Sequence, residues 1–151
     1  MLPKTHVILG LVFSLIILAI FPEIGIFGFI IIWFSSIFID VDHYLYYAYT
    51  RNSWSLKEAY DWFIKKSNAF LEMSYEDRIK NAKFIPCIFH GIEMIIILSI
   101  LSFVSSIFLY ILIGFIFHQL LDFIHIEYHG FSLNHIGSQT YNILNYKKQK
   151  N

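Results

Sequence analysis

Four short segments of this chain carry imidazole and carboxylate side chains at spacings that suit a metal ion. They are His6, the run Asp40-Val41-Asp42-His43, the pair His90 and Glu93, and the pair His118 and Asp122. On a helix, Asp40 and His43 share a face, whereas Asp42 points elsewhere or leaves the helix. His90 and Glu93 have the same offset of three, and His118 and Asp122 are four apart, so one turn brings both members of a pair to one ion. The stripe continues through His125 and His129 until Gly130 offers a helix stop.

Imidazole mixed with carboxylate suits zinc, with iron or manganese as alternatives, rather than calcium or magnesium. Cys87, three before His90, could add a soft ligand, although a buried free thiol is the commoner role for a single cysteine. The candidate ligands are His6, Asp40, Asp42, His43, His90, Glu93, His118 and Asp122, with Glu93 either a bridging ligand or a general base. One zinc site takes fewer groups than these, so the expectation is one or two divalent transition-metal ions. His129 and His135 are given the plainer reading of interfacial or internally satisfied histidines. A lone His-x-x-x-Asp arises often by chance; the combination carries the argument.

The elements that must position these residues are apolar. Hydrophobic residues make up 57% of the 151 and charged residues only 15%, well below the roughly 25% usual for soluble domains. That excludes an ordinary soluble globule and a disordered chain alike, and leaves a membrane protein. Eleven basic residues balance eleven acidic ones, which argues against a nucleic-acid binder driven by bulk positive charge. One cysteine allows no intramolecular disulfide.

Charge-free runs cover Val7–Phe21 and Ile24–Ile39, broken by the turn-like Pro22-Glu23-Ile24-Gly25. With only Lys4 as a basic flank and no small-residue cleavage site, the first run predicts half of a retained helical hairpin rather than a signal peptide. A third apolar stretch, extended to residues 91–124, has room for two helices of about 17 residues with a reversal near Ser102–Ser106. Residues 51–85 read as a soluble insert with helix starts at Ser55 and Ser74, each followed by an acid at capping-box spacing. This insert is expected to form amphipathic helices on the membrane surface or bundle mouth, or a lid. Residues 134–151 read as a polar tail.

Four spans would place all eleven basic residues on one side, which the positive-inside bias makes cytoplasmic. The same arrangement gathers the histidines there. Asp40, Glu93 and Asp122 sit in or beside apolar runs, where a carboxylate is costly unless paired or coordinating. No lysine or arginine lies between Val7 and His43 or between His90 and Lys147, so a metal ion is the expected counter-charge. Protonated carboxyls bonded to histidines are the alternative.

The ordered motifs are Thr5-His6 leading a glycine-containing apolar helix, Asp40-Val41-Asp42-His43, Phe89-His90-Gly91-Ile92-Glu93 and Phe117-His118-Gln119-Leu120-Leu121-Asp122. They resemble the membrane-bound metal-dependent hydrolase family, which includes LexA-binding inner-membrane members and is distantly similar to zinc-dependent phospholipase C and P1 nuclease. The resemblance covers most of the chain except the insert. Many members carry a second histidine and an arginine shortly before the position of His90, where Ile85, Pro86 and Cys87 stand here. What it implies is first a metal site and then hydrolysis.

The reading is an all-α integral membrane bundle of four membrane-embedded helices with a helical cytoplasmic insert between the second and third. Both termini and the metal site lie on the cytoplasmic side of the cell membrane. The expected partners are the lipid bilayer and an amphiphilic substrate such as a phospholipid, with no nucleic acid. The expected chemistry is attack of a metal-activated water on a phosphoester or acyl centre. The rivals are a metal-binding or ion-handling membrane protein without hydrolysis, and a small membrane adaptor that works through its insert.

Overall fold

The computed structural model describes residues 3–81, 87–130 and 137–150. Among them every regular element is helical: α1 (Pro3–Ile20), α2 (Gly25–Phe38), α3 (Val41–Arg51), α4 (Leu56–Leu71), α5 (Tyr75–Asn81), α6 (Ile92–Leu101), α7 (Ser106–His129) and α8 (Gln139–Lys150). Short 3-10 turns occupy Pro22–Ile24 and Ile88–His90. The first is the break expected at Pro22.

Helices α1, α2 and α7 pack at very short range because small residues line their contacts. A Cβ added to Gly10 of α1 would overlap Ser36 Oγ of α2, and one added to Gly114 of α7 would overlap Ser35 Oγ and crowd the Ile32 carbonyl. Close backbone approach through Gly and Ser is the packing that apolar helices use where no hydrophobic driving force distinguishes neighbour from surroundings. The serine hydroxyls satisfy themselves locally: Ser14 donates to Gly10 O and Ser35 to Ile31 O. Phe13 stacks on Phe117 with ring centroids 3.9 Å apart. Beyond them α6 lies on α7, and Ile39, Leu98, Leu112 and Phe115 form the apolar core.

The reversal near Ser102–Ser106 is present. Helix α6 ends at Leu101, and Ser105 caps α7 by accepting from Ile107 N. The two helices are unequal, with 10 and 24 residues, rather than about 17 each. Helix α7 runs past residue 124 because nothing stops it before Gly130, which ends it in a left-handed conformation (φ 69°).

Two helical segments are long and apolar enough to cross a membrane: Pro22–Arg51, which combines α2 and α3, and Ser106–His129. Helices α1 and α6 are apolar but shorter. Large apolar side chains project outward along this bundle, among them Ile26, Phe27, Phe34, Phe38 and Phe103.

The insert forms its two expected helices. Ser55 accepts from Glu58 N and Ser74 from Asp77 N. Glu58 departs from the reciprocal box: its carboxylate accepts from Ser53 Oγ at 2.6 Å instead of turning back to Ser55 N. Within the polar tail, residues 139–150 form α8. Ser138 caps that helix by accepting from Tyr141 N.

Candidate metal centre

Between α2 and α3 the helix tightens rather than ends. Asp40 N bonds to Ile37 O and His43 N to Asp40 O, both with three-residue spacing. This pinch turns Asp40, Asp42 and His43 inward together. His6 enters from the first turns of α1, His90 from the end of its 3-10 turn, and His118 with Asp122 from successive turns of α7. His6, His90 and His118 are fully buried, and Asp122 nearly so.

The orientation of two imidazoles is fixed from behind. His118 Nδ1 donates to the Ser36 carbonyl at 2.7 Å, and His90 Nδ1 donates to Asp42 Oδ2 at 3.1 Å. A carbonyl and a carboxylate only accept, so each Nδ1 carries the proton and each Nε2 faces inward, where it could serve as a ligand. The two Nε2 atoms are 3.3 Å apart. Asp40 Oδ1 is 3.6 Å from both, while Asp122 Oδ2 is 3.5 Å from His90 Nε2 and 3.4 Å from His118 Nε2. These are two triangles sharing the His90–His118 edge. A tetrahedral ion with ligands at about 2.0–2.1 Å requires ligand separations of about 3.3–3.4 Å, so each triangle has nearly the size of a coordination face.

Two further groups extend the cluster. The second oxygen of Asp122, Oδ1, is 3.2 Å from His6 Nε2, and the His6 ring stacks on His118. His43 Nε2 is 3.8 Å from Asp40 Oδ1, and its Nδ1 is 3.4 Å from Cys87 Sγ. Asp40 and His43 are the most exposed members, and Phe63 of α4 sets its ring edge against His43, so the insert closes over the open side.

Among the described residues, several buried polar atoms at this centre meet no hydrogen-bond partner: His6 Nδ1, Asp40 Oδ2 and Asp42 Oδ1, while His6 Nε2 has the Asp122 carboxylate at 3.2 Å. A buried unsatisfied polar atom costs about 1–3 kcal/mol, and such atoms gathered at one place fit a donor set that expects a cation. Three overlapping groups have ligand geometry: Asp42, His43, Cys87 and His90; His6, His118 and Asp122; and Asp40, His90 and His118. Burial works against charge on the His90 imidazole, but hydrogen bonds to Asp122, Asp40 and Asp42 outweigh it and hold its pKa well above 6.5. Burial, reinforced by Asp42 and Asp40, pushes the Cys87 thiol far up.

Seven of the eight residues expected from sequence thus converge: His6, Asp40, Asp42, His43, His90, His118 and Asp122. Glu93 does not join them. Its carboxylate accepts from Ser138 Oγ at 2.6 Å, Gln139 N at 3.2 Å and Thr140 N at 3.1 Å, so it caps α8 instead of bridging ions or serving as a base there. Gly91 stands between His90 and α6 in an extended conformation (ψ 148°), and the two side chains do not share a helical face. Asp42, expected to point away, reaches the far nitrogen of His90 and also accepts from Phe89 N. Cys87 is buried and free, as the commoner role implied, yet it touches the centre. His125 and His129 pack ring to ring, and His135 lies outside the described residues. No family model, curated protein or solved structure matches the chain in comparisons with known proteins.

Proposed function

We propose that this chain is a multi-pass membrane protein of four membrane-embedded helices that holds one or two divalent transition-metal ions, zinc foremost, and hydrolyses a phosphoester of an amphiphilic substrate such as a phospholipid. The single observation that carries the metal reading is the pair of His90 and His118 Nε2 atoms 3.3 Å apart, both within 3.6 Å of Asp40 and Asp122 oxygens. With their Nδ1 atoms engaged behind them, both Nε2 atoms face the two carboxylates, an arrangement that suits a shared cation. The resemblance of the ordered motifs to membrane-bound metal-dependent hydrolases supports the step from binding to hydrolysis. A bound divalent ion would supply Lewis acidity and a water of lowered pKa.

Depth supports an amphiphilic substrate. From His6 to Ile20 helix α1 rises about 21 Å at 1.5 Å per residue, short of the roughly 30 Å hydrocarbon core. With the turn after α1 at the far interface, the centre lies below the cytoplasmic head groups, within reach of a lipid but recessed from water. A cytoplasmic placement follows from the eleven basic residues that four spans would put on that side.

A second reading, metal holding without hydrolysis, is favoured by Glu93, whose engagement with α8 removes the expected base. Metal analysis of detergent-purified protein beside His118→Ala and Asp122→Ala, followed by phosphodiesterase assay in mixed micelles, separates these outcomes. Stoichiometric metal with turnover supports the hydrolase. Metal without turnover supports the second reading, and wild type without metal sinks both.

A further inference from the structure

We propose that Asp42, His43 and Cys87 form a second, sulfur-bearing ion position beside the His90–His118 centre, suited to a borderline-soft divalent ion such as zinc. The inference extends the metal reading above. One ligand atom from each of Asp42, His43, Cys87 and His90 lies within 4.8 Å of all the others. The Cys87 Sγ to His43 Nδ1 separation is 3.4 Å. An ion bound tetrahedrally at about 2.3 Å from sulfur and 2.0–2.1 Å from nitrogen sets those two ligands about 3.5 Å apart.

His43 and Asp42 divide their polar atoms between this position and the groups of the first centre. His43 turns Nδ1 to the sulfur while Nε2 faces Asp40 of the first centre. Asp42 commits Oδ2 to His90 Nδ1 and Phe89 N, and its Oδ1 is buried without a hydrogen-bond partner among the described residues. Cys87 is fully buried, with its backbone N–H held by Gln139 Oε1. His90 presents Nε2 to the first centre and so serves as the wall between the two. Ion entry forms a metal–sulfur bond and breaks the S–H bond, and the proton leaves to solvent.

Cobalt(II) loading of the full-length, detergent-purified chain tests this, without added thiols. Cys87 is the single cysteine, so a thiolate-to-cobalt charge-transfer band in the near ultraviolet can come from nowhere else in the chain. The expected result is two cobalt ions per chain with the band. Cys87→Ser should lose the band and one ion, and His118→Ala should keep the band. One cobalt per chain without the band overturns the sulfur position and leaves the first centre standing, as an S–H···N hydrogen bond to His43 would require. A single ion with the band overturns the separate position, and no cobalt at all overturns both readings. The wild-type spectrum decides by itself even where a variant fails to fold.

Discussion

The start of α6 and the middle of α7 carry nearly the same pattern, a histidine followed three or four residues later by an acid, and put it to different uses. In α7 His118 and Asp122 lie on one continuous helix, and Asp122 Oδ2 comes within 3.4 Å of His118 Nε2. At α6 the histidine belongs to a 3-10 turn and the acid to the following helix, with the extended Gly91 between them. Glu93 therefore turns to the exposed amides at the start of α8, which need an acceptor. Spacing assigns a shared face only where one helix spans both residues, and here one backbone torsion separates a candidate ligand from a cap.

The most severe way to break this comparison is to remove the two acids in turn. Asp122→Ala should abolish stoichiometric metal, a loss of more than about 100-fold in affinity, whereas Glu93→Gln should leave metal content unchanged; metal analysis by mass spectrometry reads both. Equal losses would return Glu93 to the site. Asp42→Asn should weaken metal binding by about 10- to 100-fold, because the group that orients His90 would go while its Nε2 remains. Affinity measured against pH should fall by up to about tenfold per unit on acidification below the raised pKa of His90, since the ion must displace that proton. A flat profile would show that His90 is not a ligand. Gly114→Leu should cost about 1–3 kcal/mol in a detergent unfolding assay by forcing α7 away from Ser35. Smallest of all, Glu93→Gln should destabilise the α8 contact by about 1 kcal/mol, visible as faster proteolysis of the C-terminal helix rather than as global unfolding.

Much of this architecture is legible in the residues themselves. Pro22 marks the first turn, the serines at 102–106 the reversal, and Ser55 and Ser74 the starts of α4 and α5, because punctuation of this kind acts over three or four residues. Carboxylates in an apolar run without basic partners demand a counter-charge, and this singles out the metal candidates. What the sequence hides depends on the third dimension. Asp42 faces the site because the His90 ring spans the gap between it and Asp40, and no periodicity contains that ring. The Ser36 carbonyl that fixes His118 belongs to backbone whose availability follows from helix packing. Helix α8 left one readable sign, Ser138 ahead of Gln139, but its low apolar content gave no face to notice.

The two glycine contacts have a consequence for how this protein can change. Gly10 lies one turn from His6, and Gly114 one turn from His118, so the spacing between imidazoles on different helices is inherited from how closely two backbones touch. The outward-facing Phe27, Phe34 and Phe103 contribute area without setting any distance. In a saturation library selected for metal retention, positions 10 and 114 should be as intolerant as the ligands themselves, while the aromatic exterior drifts freely among apolar residues. Two residues with no side chain then act as the gauge blocks of the centre.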